Sequence, residues 1–253
     1  MKMIDFDLWA RNRLEFETID DIDASMNGLQ LGNPEAEVET MAFAVDACMD
    51  SFRQAAARGA QALFVHHGLF WGPAVPLTGV MGERVRFLME NQISLYACHL
   101  PLDRHGELGN NARIAGVLGL EDIEPFGDYK GRKIGFKGRL AEPSDLETLI
   151  IKLFGAWESS INALRFGPAE ISSIAVISGG GPREVSQAIA EGMDLYITGD
   201  RSHEIYHQCR EAGINVLFAG HYLTEIYGVK AMAETVASEL GIETVFLDIP
   251  TGY

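Results

Sequence analysis

The sequence is poor in cysteine. Its 253 residues include three, Cys48, Cys98 and Cys209, with no CxxC spacing. An odd, sparse count argues against a disulfide framework and suits a reducing compartment. Bases are scarce too: 20 Lys and Arg stand against 36 Asp and Glu, for a net charge of −16. That balance favours solubility and supplies no basic patch, so no nucleic-acid surface is expected. No apolar run approaches the ~20 residues of a membrane span. The N-terminus, Met1-Lys2-Met3-Ile4-Asp5-Phe6-Asp7, places acids where a signal peptide needs a long apolar core. A cytoplasmic protein with no membrane partner is the expectation these absences leave.

What is present is an ordinary globular chain, 47% hydrophobic and 22% charged, long enough for one large or two modest domains. Residues 5–14 read as an amphipathic helix. Asn27 to Gly32 reads as a turn and a short strand, and 41–45 as an apolar strand ending in Asp46. A helix over 50–58, a strand over 62–66, a helix over 80–91 and a strand over 93–98 follow. A further helix starts at Asn110-Asn111. The β-α alternation predicts a mostly parallel sheet. After Pro125 the pattern shifts. Residues 127–131 are turn-rich, 133–140 alternate, and Ser144–Phe154 reads as a helix capped by Ser144. Strands near 161–166, 173–178, 193–198, 214–219 and 243–248, with helices over 183–191, 202–212 and 222–240, make a second run. The expected fold is α/β. It has two packed lobes, 1–126 and 127–253, mostly parallel or mixed sheets, and a metal site between the lobes at strand C-terminal ends. The C-terminal helix and strand have the option of packing back on the first lobe.

Three clusters carry potential chemistry. Ala62-Leu63-Phe64-Val65-His66-His67-Gly68 is an apolar strand ending in two histidines. Adjacent strand residues face opposite ways, so the pair converges only where the pleat relaxes at the strand end. Open α/β sheets place their sites there. Cys98-His99-Leu100-Pro101-Leu102-Asp103 follows the next strand. Pro101 disfavours helix at Leu100, so His99 and Asp103 are expected on an ordered loop. Phe218 to Glu225 is a strand, a glycine and a helix start, with His221 and Glu225 on one face at spacing i, i+4. Four histidines and two carboxylates exceed the three protein ligands of one catalytic zinc. They fit two divalent ions, with Zn, Mn, Fe, Co and Ni all compatible. Two such ions activate water and neutralise transition-state charge.

The segments Asn27-Gly28-Leu29-Gln30, His66-His67-Gly68, His99-Leu100-Pro101-Leu102-Asp103, Thr198-Gly199-Asp200 and Gly220-His221-Tyr222-Leu223-Thr224-Glu225 resemble, in order, the NIF-three-like proteins, also called GTP cyclohydrolase one type two homologues. The resemblance implies that His66, His67, Asp103, His221 and Glu225 hold two metals, with Glu225 as the bridge. It places His99 beside them, either as a further ligand or as a proton-transfer group. It also implies a hexameric ring of identical chains. The sequence departs from the family at Gly68, where a proline is common, and at Pro101, where an asparagine is common. Neither position is a ligand. The chain is also too short for the extra domain many members carry between the halves.

The function this implies is metal-dependent hydrolysis of a small nucleotide- or pterin-like substrate. A metal-binding regulator or metal-handling protein without turnover stands as the alternative. His203-Glu204-Ile205-Tyr206-His207 also fits H-E-x-x-H, the metallopeptidase signature. It lies near a helix start rather than in mid-helix, and that reading leaves His66, His67, His99 and Asp103 idle. His203 and Asp200 are expected near the metals as outer groups. Ser178-Gly179-Gly180-Gly181-Pro182 reads as a tight turn; it lacks the Lys-Ser/Thr of a phosphate loop. Cys98 is read as core, and Phe70 and Trp71 as interface or pocket wall.

Overall fold

Both β-α runs are realised in the computed structural model, which describes residues 1–253. In chain order the elements are α1 (Met3–Arg13), β1 (Gly28–Leu31), β2 (Thr40–Asp46), α2 (Met49–Ala57), β3 (Ala62–His67), α3 (Gly79–Glu90), β4 (Ser94–Ala97), α4 (Leu100–Arg104), α5 (Asn110–Leu118), β5 (Leu120–Tyr129), β6 (Arg132–Ser144), α6 (Leu146–Phe154), β7 (Asn162–Arg165), β8 (Ile171–Val176), α7 (Val185–Ala190), β9 (Leu195–Thr198), α8 (Tyr206–Ala212), β10 (Asn215–Phe218), α9 (His221–Leu240) and β11 (Glu243–Phe246). The fold is mixed α/β, with a five-stranded and a six-stranded sheet. No helix is long and apolar enough to cross a membrane. By internal contact the chain divides into two compact units, Met1–Leu102 with Gly228–Ile249, and Asp103–Tyr227 with Pro250–Tyr253.

The first unit has the strand order β1-β4-β3-β2-β11. β4, β3, β2 and β11 run parallel, and β1 closes the edge antiparallel to β4. The inner strands are apolar on both faces, as a covered parallel sheet requires. Ala42, Ala44, Leu63, Val65, Leu95 and Ala97 share one core with Phe52 of α2 and Val85 and Leu88 of α3. The alternate residues Phe43, Phe64 and Tyr96 form a ladder of rings 5.2 and 5.8 Å apart, capped by Phe6 of α1 at 5.0 Å. Each such buried ring contributes roughly 1.5–3 kcal/mol of apolar burial. Because β2, β3 and β4 are parallel, Asp46, His67 and the residues after Ala97 emerge at the same edge.

The second unit has the order β5-β6-β8-β9-β10-β7. Only β8, β9 and β10 are parallel; the outer pairings are antiparallel. Its core joins Ile114 and Leu118 of α5 and Leu149, Ile150 and Leu153 of α6 to Ile174, Val176, Leu195, Ile197 and Leu217. Again the parallel strands deliver their following residues, Ser178, Asp200 and His221, to one edge.

Two local expectations are corrected. The segment after His99 is not a loop, because α4 begins at Leu100 with Pro101 in its first turn. Proline is tolerated there, since the first-turn N–H groups have no helical acceptor to lose. The cap of α6 is Asp145 rather than Ser144: the Asp145 carboxylate accepts from Thr148 N at 2.9 Å. A carboxylate at that position meets the unsatisfied N–H groups directly.

Candidate metal centre

In the first unit, β3 ends at His67, with His66 fully buried and His67 half-buried. The two rings lie 4.6 Å apart, and His99 stands 5.1 and 5.7 Å from them. All three offer a ligand atom within 4.8 Å of one another. Each ring is held by an oxygen at Nδ1: His66 by Cys98 O at 2.9 Å, His67 by Asp46 Oδ1 at 2.8 Å, and His99 by Asp23 Oδ1 at 2.8 Å. A carbonyl or carboxylate oxygen only accepts here, so Nδ1 carries the proton in each ring and the ring plane is fixed. Asp46 is the register partner of His67 on the neighbouring strand, which is why it lies within reach.

Asp23 is the most constrained acid here. Its side chain is 1% exposed, and it accepts from His99, Asn27 Nδ2 and the backbone N–H of Ser25 and Leu100. Burial alone would raise its pKa. The His99 contact and the other donors outweigh that and bring it down to about 2. Asn27 Oδ1 in turn accepts from His99 N at 2.8 Å. Gln30 Oε1 accepts from Leu69 N at 2.7 Å and pins the segment that follows the histidine pair.

In the second unit, Asp103 is buried, and its Oδ1 accepts from Asn110 Nδ2 and Ser178 Oγ, both at 2.9 Å. Asp103 and Glu225 bring carboxylate oxygens within 4.8 Å of each other. Glu225, 2% exposed, lies one turn along α9 from His221, with His221 Nε2 3.2 Å from its Oε1. On the other side His221 Nδ1 meets Asp200 Oδ1 at 2.9 Å. Burial opposes charge on this imidazole, but Asp200 and Glu225 outweigh it and lift its pKa to about 10. The carboxylates thus create a potential that draws a cation to this spot. The Ser178–Gly181 turn lies against them: Gly179 N donates to Thr224 Oγ1, and Gly179 O accepts from Gly199 N and Asp200 N. A Cβ at Gly179 would run into Glu225 Oε1 and stand 3.1 Å from His221 Nε2. The turn is therefore glycine because the carboxylate and imidazole occupy that space.

Each unit by itself presents donors of the kinds divalent first-row metals take: three imidazoles, His66, His67 and His99, in the first, and the imidazole of His221 with the buried carboxylates of Asp103 and Glu225 in the second. Mixed nitrogen and oxygen ligands of this kind suit Zn, Mn, Fe, Co or Ni. The H-E-x-x-H residues are arranged differently. His203 sits in a 3-10 turn, His203–Ile205, while His207 lies in α8. Glu204, the would-be base, is paired with Arg183 at 3.0 Å.

Sequence reading missed Asp23, Asn110 and Ser178, and gave Asp46 and Gly179 no part in the site. Asp46 carried a faint signal, as an acid ending an apolar strand. Asp23, inside an acidic stretch, carried none.

An α/β protein of two sheets, with histidines and acids gathered where parallel strands end, is the class these observations define. The chain belongs to the Duf34/NIF3 (NGG1p interacting factor 3) family, whose family model matches residues 1–252. A relative from Archaeoglobus fulgidus named GTP cyclohydrolase 1 type 2 homolog is 48% identical over 229 residues, covering 90% of this chain and 91% of its own. One of the same name from Halobacterium salinarum is 42% identical over 249 residues, covering 97% and 98%. Among solved structures, protein ybgI, described as of unknown function, is 31% identical with a TM-score of 0.90, covering all of both chains. TTHA1606 from Thermus thermophilus is 33% identical with a TM-score of 0.89, also over all of both chains.

Proposed function

We propose that the protein is a metal-dependent hydrolase acting on a small nucleotide- or pterin-like substrate. In this reading His66, His67, Asp103, His221 and Glu225 would hold two divalent ions, with the buried Glu225 placed to serve both. The observation that carries it is the pair of buried carboxylates, Asp103 and Glu225, whose ligand oxygens lie within 4.8 Å of each other, with His221 Nε2 3.2 Å from Glu225 Oε1. The GTP in the name shared by the relatives supports a nucleotide-like substrate.

Bound there, two divalent ions would supply Lewis acidity and make water nucleophilic near neutral pH. The chain's own residues do the rest. Asp46, Asp200 and the Cys98 carbonyl fix the ring planes of His67, His221 and His66. Asn110 and Ser178 hold the Asp103 carboxylate in one orientation. His99, with Nδ1 anchored on Asp23, presents Nε2 to take or give a proton. The assembly in this reading is a hexameric ring.

A second reading, metal handling without turnover, draws on the convergence of His66, His67 and His99. A third imidazole ligand would help close the site, whereas an enzyme keeps a coordination position open. One experiment separates the two: elemental analysis of wild type and His99→Ala, followed by a hydrolysis screen of nucleotides, phosphoesters and cyclic amides. The hydrolase reading expects about two ions per chain in both proteins and slower turnover in the variant. Loss of a metal in His99→Ala, with no substrate turned over by the wild type, refutes it and favours metal handling.

A further inference from the structure

We infer that Trp71 is the platform on which a planar heteroaromatic ring of the substrate stacks. This rests on the nucleotide- or pterin-like substrate proposed above and deepens it, by assigning recognition of the ring to one side chain.

Trp71 lies in the segment that follows the histidine pair. Its indole ring meets His99 edge to face, with centroids 4.9 Å apart at an interplanar angle of 74°, and lies 5.9 Å from the His67 ring. It is therefore beside the candidate metal donors of its own unit rather than in the core, and it is half-buried. Its one polar atom is already used: Nε1 donates to Gly68 O at 2.9 Å. With that atom used, a ligand would meet Trp71 through its partly exposed ring, and an aromatic surface suits flat rings and is indifferent to their hydrogen-bonding pattern.

The ring is also held in advance. Trp71 forms a β-bridge with Ser25, flanked by Met26 N donating to Phe70 O at 3.0 Å and Gly72 N donating to Ala24 O at 2.7 Å. Gln30 accepts from the backbone of Leu69 and Phe70 on the preceding side. Beyond Gly72 the chain changes character, and residues 72–80 are all exposed. A tryptophan braced on both sides at the start of an exposed segment binds without first being ordered, which lowers the cost of association.

The test reads binding rather than turnover, so it stays separate from the hydrolase question. Metal-loaded protein carrying Trp9→Phe and Trp157→Phe leaves Trp71 as the only tryptophan. It is titrated with GTP, with guanosine, and with tripolyphosphate, which has charge but no ring. GTP and guanosine are expected to quench Trp71 saturably, and tripolyphosphate is expected to leave its emission unchanged. By calorimetry, Trp71→Leu, which keeps apolar bulk without a π face, should bind GTP roughly 5- to 140-fold more weakly, the range for losing one stacked base. Trp71→Phe should restore most of the affinity, and tripolyphosphate should bind all three proteins alike. Metal content and thermal melting of each variant establish that the site is intact. Should Trp71→Leu fail to fold, the comparison of Trp71→Phe with wild type and the quenching data carry the test. Equal GTP affinity in wild type and the folded Leu variant overturns the inference. So does the absence of saturable quenching by either ring compound. Ring binding through Trp71 without hydrolysis leaves the stacking role standing and removes the hydrolase reading instead.

Discussion

Replacing Gly179 by alanine puts the carboxylate–imidazole arrangement of the second unit under direct strain. Gly179 has φ +60°, a conformation that costs an L residue roughly 1–2 kcal/mol. The added methyl would also meet Glu225 Oε1, with Glu225 Cδ at 3.2 Å and His221 Nε2 at 3.1 Å. Glu225 is buried, so it escapes by leaving its rotamer, at about 0.5–1.5 kcal/mol. The sum is a loss of roughly 1.5–3.5 kcal/mol, which for a chain of this size lowers Tm by roughly 3–14 °C. Metal affinity should fall by roughly 10–100-fold, as when groups that orient ligands are disturbed. Gly192→Ala is the control. Gly192 has φ +68° but open space where a Cβ would go, so it should lose about 1–2 kcal/mol of stability and no metal. Scanning fluorimetry and elemental analysis after loading with Mn or Zn read both quantities. A Gly179→Ala protein that melts lower yet binds metal as tightly as wild type would refute the placement of a metal on Glu225 and His221.

Glu225→Gln should remove more than one of the two proposed ions, while His207→Ala should remove none; the opposite result in elemental analysis would revive the peptidase reading. Asp23 has a folded pKa of about 2, below the ~3.9 of an unfolded chain. Its contribution, about 2.5 kcal/mol, is thus present above pH 4 and lost as pH falls toward 2. The urea stability gap between metal-free wild type and Asp23→Asn should therefore be large at pH 5 and smaller at pH 3; a gap that widens toward acid contradicts this linkage. Light scattering should give about six times the 27.7 kDa chain mass, and a stable monomer at micromolar concentration would contradict the ring.

Much of the fold was legible because burial wrote it twice. The runs at 41–45 and 62–65 are apolar on both faces, and each is followed by a helix ended by glycine or a turn. β5 was not legible. Over Leu120–Tyr129 it is largely exposed, holds Pro125 and Gly127, and has an irregular register between Glu121 and Glu124. Its pairing with β6, not its own pattern, makes it a strand. Of the candidate site, the histidine pair stands out in the sequence only when joined to the clusters at His99–Asp103 and His221–Glu225, each at the end of an apolar strand. The groups that hold the rings do not. Asp23 reaches His99 across 76 residues of sequence and Ser178 reaches Asp103 across 75, and no local spacing encodes either contact.

The order in which the first sheet is assembled bears on how the chain is made. β2 gains its outer neighbour only when β11 arrives, pairing Thr40 with Glu243, 203 residues later. At about 5–20 residues per second of synthesis, the Thr40–Asp46 edge stays open for roughly 10–40 s. That edge carries Met41, Ala42, Phe43, Ala44 and Val45 in an unbroken row, the kind of segment that recruits other nascent strands. A stop codon just before β11 would therefore do more than trim a peripheral strand. It would release chains with a permanently sticky flank, whose fate is clumping or capture by chaperones rather than slow unfolding.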